Sequence, residues 1–280
     1  MEKAIKRYFP IFVLPTMIAF TLGFIIPFVE GVYLSFCKFT TVNDAKFIGF
    51  ANYAKVFADE TFVHAFWYTA AFTVVSVILI NVLAFAVALL LTKGFKGTNI
   101  FRTVFFMPNL IGGIVLGYIW QLLLNGILIK FSRTLTYSST YGFWGLIILM
   151  CWQQIGYMMI IYIAGIQNIP GELIEAAEID GATKWQILKK VTIPMVMPSI
   201  TVCTFLTLTN SFKLFDQNLA LTNGEPSKMS EMLALNIFNT FYGRTGYEGV
   251  GQAKAVIFFI LVTVIALTQN YLTRRKEVQQ

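Results

Sequence analysis

The chain has 280 residues, 57% of them hydrophobic and only 12% charged, with a net charge of +7. A soluble domain carries about 25% charged residues, so this chain lacks the polar surface to coat a globule in water. The positive charge does not point to nucleic acid, because the basic residues form no patch interleaved with aromatics.

The apolar residues come in long blocks, and about 20 in a row suffice for a helix to cross the hydrocarbon core. The first run, Pro10–Ser35, follows Lys3, Lys6 and Arg7. It exceeds a signal-peptide core, and no small-residue cleavage site follows Phe28, so it reads as a retained span. A long polar connection with scattered aromatics, Cys37–His64, leads to the second run, Phe66–Leu91, which Lys93, Lys96 and Arg102 follow. In the third run, Phe105–Leu124, Pro108 precedes Gly112 and Gly113. Proline removes a backbone donor and small residues allow close helix packing, so the group reads as a packing feature, with a gating bend as the alternative. The short connection Asn125–Gly142 and the fourth run, Phe143–Ile166, come next. The fifth, Pro198–Phe212, is diluted by Thr201, Thr204, Thr207, Thr209, Asn210 and Ser211. After the long connection Asp216–Gln252, the sixth, Ala253–Leu272, ends in Arg274, Arg275 and Lys276.

The expected fold is all-α: a polytopic membrane helical bundle of six spans forming one transmembrane domain over 1–280. Lysine and arginine are denser in the connections on the side of both termini, which places those termini in the cytoplasm. Cys37, Cys151 and Cys203 are odd in number and widely spaced, so they suggest neither a disulfide framework nor a metal site. Glu30, near the outer end of the first span, reads as an interfacial carboxylate rather than a coupling-ion site.

One inner connection, 169–197, differs in kind. Pro170 suits a helix start, and Glu172, Glu175 and Glu178 lie toward that helix's positive end. Asp180-Gly181 ends the helix, because glycine accepts the left-handed conformation. A second short helix carries Trp185, Ile187, Leu188 and Val191, and Pro194 marks its transition to the next span. Membrane-surface helices usually carry basic polar faces. This one is acidic, with a small Ala176-Ala177 surface, which favours a protein partner over the headgroups.

The run Glu175-Ala176-Ala177, three residues, Gly181, nine residues, then Val191-x-Ile193-Pro194 resembles the EAA loop of ABC-importer permeases. The resemblance implies that Glu172, Glu175, Ala176, Ala177, Asp180 and Gly181 belong to a coupling helix docked on a cytoplasmic ATPase subunit. Other landmarks resemble the sugar-importing, maltose-transporter-type branch. They are Ser35-Phe36, Gly49-x-x-Asn52-Tyr53, Arg102-x-x-Phe105-Phe106-Met107-Pro108, Trp120, Gly165-Ile166-Gln167-x-Ile169-Pro170 and Phe212-Lys213-x-Phe215-Asp216. Where that branch often has Gly-Gly-Pro after a threonine, this chain has Thr222-Asn223-Gly224-Glu225-Pro226. The resemblance implies a bacterial inner-membrane permease with a sister permease, two cytoplasmic ATPase subunits and an extracytoplasmic solute-binding protein that delivers a sugar.

Polar groups inside a membrane are costly unless they face protein or a water-filled cavity. Trp152, Gln153, Gln154 and Tyr157 in the fourth span, with Asn210, Ser211, Phe215 and Asp216 near the outer half of the fifth, form a candidate substrate pathway. Their aromatic faces suit sugar rings and their amides and hydroxyls suit sugar hydroxyls. Interhelical hydrogen bonding and an interfacial aromatic belt account for the same residues without a substrate. Lys213 and Asp216 are candidates to pair with each other.

No Gly-x-x-x-x-Gly-Lys-Ser/Thr phosphate loop occurs, so ATP hydrolysis is expected in partner subunits and no cofactor in this chain. The one histidine, His64, falls in an outer connection, and no catalytic or metal-ligand constellation stands out. The alternatives are an ion-coupled secondary transporter, an ABC importer of another small polar solute such as a glycerol phosphate, and a non-transporting membrane scaffold. A secondary transporter usually places ionisable groups or broken helices near the midplane, and no central carboxylate is read here.

Overall fold

The first apolar run folds as α1 (Glu2–Phe20) and α2 (Ile26–Leu34), joined through a single π turn, Thr21–Ile25. Its apolar side chains point outward all round, which is the arrangement of a helix solvated by lipid. This computed structural model describes residues 2–94 and 96–275, apart from the side chains of 2–8 and 10; the basic groups expected at Lys3, Lys6, Arg7 and Lys276 therefore lie outside the described residues.

The chain divides into two compact units, Met1–Glu60 with Ile237–Ile260, and Thr61–Asn236 with Leu261–Gln280. In the first unit, β1 (Cys37–Lys38) pairs antiparallel with β2 (Lys46–Phe47) in the register Cys37 with Phe47. The turn between them is capped by Thr41 and Asp44. Backbone N–H groups of Thr40 and Thr41 donate to Asp44 at 3.0 Å each and hold its carboxyl below the usual carboxylate range. Helix α3 (Ala51–Phe57) follows, and buried Asn52 donates to the carbonyls of Ser35 and Cys37 at 2.9 and 2.8 Å. Lys254 is fully buried and bonds Asp59 at 2.7 Å and Thr240 at 2.8 Å. A buried cation of this kind is tolerated only when paired.

The second unit contains most of α4 (Glu60–Leu91), then α5 (Thr98–Phe106), α6 (Gly113–Leu128) and α7 (Ser139–Gln167). The expected third span, Phe105–Leu124, needs correction. Pro108 sits in a 3-10 turn, Met107–Leu110, and Ile111 and Gly112 are extended, so the run is a short helix, a break and a separate span. Proline's missing donor is accommodated at that break rather than by a kink. His64 lies in α4 rather than in a loop, its Nε2 3.0 Å from the Met229 carbonyl.

Helix α7 is the most buried span, and its residues Leu146, Leu149, Met150, Met158, Met159 and Tyr162 form the middle of the unit's core. Gly156 allows this closeness: a Cβ there would run into the Phe105 carbonyl. After α7 come α8 (Gly171–Ile179), α9 (Lys184–Ile187), α10 (Ile193–Met195) and α11 (Met197–Phe212). The connection read as Asp216–Gln252 contains α12 (Asp216–Leu221) and α13 (Leu233–Gly243), and α14 (Glu248–Arg274) ends the described chain. Asn218, fully buried, organises the return by bonding Thr222, Ser230 and Met232 at 3.0, 2.8 and 2.9 Å.

Among the described residues, five helices are long and apolar enough to cross a membrane. The pair Lys184–Met195 and Met197–Phe212, bent by 69°, supplies the sixth when counted as one span. The all-α membrane fold is therefore observed, with the diluted fifth run as the irregular member.

Candidate functional site

The inner connection begins with α8. Pro170 caps this helix rather than entering it, with ψ 127° placing it just outside, and Gly171 is the first helical residue. The helix ends as the glycine demands: Gly181 adopts φ +76°, its N–H donates to Glu178 at 3.0 Å, and Ala182 reaches back to Ala177 at 2.9 Å. Thr183 and Gln186 then form a capping box that starts α9, with the Thr183 N–H donating to the Gln186 side chain at 2.7 Å. The chain runs on through a π turn, Leu188–Thr192, and past Pro194 before it bends at Val196, two residues later than the sequence suggests.

Two short helices are thus joined by a turn closed through backbone and capping hydrogen bonds, and their outward face is exposed among the described residues. Glu172, Glu175, Ala176, Glu178, Asp180 and Gly181 are exposed and Ala177 is half-buried. Ile179 is 86% exposed and Trp185 is also exposed. A concavity of about 310 Å³ lies between the helices, lined by Ala177, Asp180, Gly181, Gln186 and Lys190 among others.

The structure joins part of the second candidate set. Gln153 and Gln154 are buried on α7. Gln153 Nε2 donates to the Ile111 carbonyl at 3.3 Å, and its Oε1 accepts from Gln217 at 2.8 Å. Asn210 donates to Gln154 at 3.4 Å. Trp152 is 44% exposed and meets Trp120 edge-on, ring centroids 5.7 Å apart; Tyr157 faces Phe106 at 6.4 Å. Ser211 is turned away, fully buried and bonded along its own helix to Thr207 at 2.8 Å. Phe215 caps α12 and Asp216, exposed, begins it. Lys213 and Asp216 form no ion pair with each other among the described residues.

Gln217 escaped the sequence reading, and the broken backbone at Ile111 falls where Pro108, Gly112 and Gly113 suggested close packing first and a bend second. Gln217 lies in a segment that resembled a plain connection, although two amides in the short stretch Asp216-Gln217-Asn218 were a readable hint. The amides tie α7 to α12 and the α5–α6 break through Gln153, and α7 to α11 through Gln154, a polar seam along the helix that also carries Trp152.

The sequence pattern of the family described as binding-protein-dependent transport system inner membrane component matches residues 80–278, which include both sites. The chain belongs to this family. It is similar to AmyD of Thermoanaerobacterium thermosulfurigenes, a probable starch degradation products transport system permease protein, with 42% identity over 278 residues, 96% of this chain and 94% of that one. The multiple sugar-binding transport system permease protein MsmF of Streptococcus mutans is 29% identical and is covered over 99% of each chain. The fold resembles that of a bacterial ABC transporter involved in the import of the acidic polysaccharide alginate, with a TM-score of 0.82, 23% identity and 98% of each chain covered. This inner-membrane component is therefore a multi-pass permease subunit of a binding-protein-dependent ABC importer.

Proposed function

We propose that this permease subunit imports a sugar or oligosaccharide, with α8 as the element that docks on a cytoplasmic ATPase subunit. The observation that carries the reading is the exposed, acidic, alanine-surfaced α8, locked to α9 by the left-handed Gly181 and the Thr183–Gln186 capping box. A helix pair joined this tightly transmits a push from a partner docked on its exposed face as a rigid-body motion. In this account both termini are cytoplasmic and a sister permease completes the translocation path. A solute-binding protein delivers the sugar outside, and two ATPase subunits hydrolyse ATP inside. ATP must favour one conformation by about 10⁴-fold to carry the permease from 1:99 to 99:1.

The sugar assignment is supported by the kind of solute for which the similar permeases are named and by the polar seam. Trp152 offers an exposed aromatic face, while Gln154, Asn210 and Gln217 offer amides able to donate to and accept from sugar hydroxyls. Trp152→Ala and Asn210→Ala are expected to lower uptake of the preferred sugar about tenfold each, the weight of one ~1.4 kcal/mol contact. ATPase assembly should be unchanged. Radiolabelled sugar uptake together with co-purification checks both, and loss of assembly in either variant contradicts a pathway role.

A further inference from the structure

A second concavity, of about 340 Å³, lies between α5 and the end of α7 and is lined by none of the seam's amides. Its floor is apolar, from Phe106, Ile160 and Ile163, and its polar groups are Arg102, Thr103 and Gln167. Thr103 Oγ is committed to the Asn99 carbonyl at 3.0 Å, so ligand contacts fall to Arg102 and Gln167. Arg102 Nε is shielded from solvent and has no hydrogen-bond partner, and Arg102 makes no ion pair among the described residues. Arg102 therefore lines an apolar-floored concavity with no counter-charge among the described residues, and a part-buried cation so placed favours an anion.

We propose that this concavity binds a phosphate-bearing amphiphile, an anionic phospholipid, with its headgroup phosphate on Arg102 and its first methylenes on the Phe106–Ile160–Ile163 floor. Guanidinium and phosphate match as a two-pronged pair. Water alone solvates the outer guanidinium but leaves the apolar floor unexplained. The volume lies at the low end of ligand clefts, about 300–1,000 Å³, enough for a headgroup phosphate rather than a whole lipid. The remaining chains run along the outward apolar side of α5, where Ile100, Phe101 and Val104 are exposed. The location also fits. Gln167 is the last residue of α7, and the α4–α5 connection carries Lys93 and Lys96, so the concavity opens where the spans gather positive charge.

The test is native mass spectrometry of the purified full chain, titrated separately with dioleoyl phosphatidylglycerol, dioleoyl phosphatidylcholine and inorganic phosphate. Wild type is expected to retain one phosphatidylglycerol at least tenfold more tightly than phosphatidylcholine. Arg102→Gln should abolish that preference. Ala164→Phe, which fills the concavity from an exposed position and leaves Arg102 in place, should do the same. It decides the matter if Arg102→Gln fails to accumulate. Equal retention of the two lipids overturns the proposal, as does an undiminished preference in both variants. Displacement of phosphatidylglycerol by inorganic phosphate at matched concentration assigns the site to a free anion and also overturns it.

Discussion

Gly156→Val is expected to destabilise the permease by about 3 kcal/mol or more. At this position a Cβ would meet the Phe105 carbonyl and, at 2.8 Å, the Phe106 nitrogen. These are backbone atoms, which cannot swing aside as a long side chain does. Helix α5 would have to leave α7, taking with it the Pro108 turn and the Ile111 carbonyl that accepts from Gln153. Overpacking a well-packed core costs about 1–3 kcal/mol, and a clash with backbone belongs at or above the top of that range. The control is Gly23→Val in the first span, where an added Cβ meets nothing within 4 Å and the cost should stay within about 0.5 kcal/mol. Thermal unfolding in mild detergent, with size-exclusion chromatography for monodispersity, reads both. A Gly156→Val protein that melts with wild type contradicts the α5–α7 contact.

Gly181→Pro is expected to abolish uptake while leaving the protein inserted. Proline cannot adopt φ +76°, and it removes the N–H that closes the turn onto Glu178. A penalty of about 3 kcal/mol leaves the native α8–α9 angle populated roughly a hundredfold less. Gly181→Ala probes the same position gently, because its Cβ would meet open space and only the left-handed backbone is strained, by about 1–2 kcal/mol. It should retain part of the activity. Glu175→Lys reverses a charge that makes no hydrogen bond or ion pair among the described residues, so its effect falls on the partner alone. Uptake in Glu175→Lys is expected to drop to background with normal protein levels. Wild-type uptake in Gly181→Pro contradicts the role given to α8.

The spans and the α8 turn were legible in the sequence because both are local. Apolar runs fix where helices cross, and Asp180-Gly181 announces a left-handed stop that the φ of Gly181 matches. The break at Ile111 was only half legible, because Pro108, Gly112 and Gly113 serve close packing as well as a bend, and run length says nothing about backbone direction. Gln217 and α12 were hidden because a six-residue helix between polar segments reads as a connection. Contacts between distant residues were out of reach altogether. Lys254 finds Asp59 195 positions away, and Gln153 finds Ile111 42 positions away. In Lys254 the sequence shows only one cation in an apolar run, and burial makes it a paired one. Ser211 illustrates the reverse case: its composition suggested the pathway, but the helix places its hydroxyl on Thr207.

The most direct measurement is to extract the tagged chain from its membrane in mild detergent and identify the proteins bound to it, with wild type and Ala176→Arg side by side. The account predicts a second permease and a cytoplasmic ATPase with wild type. With Ala176→Arg, which places a bulky cation on the exposed face of α8, the second permease should remain and the ATPase should be lost. Wild-type chain recovered alone across several detergents, or an ATPase retained undiminished by Ala176→Arg, would contradict it.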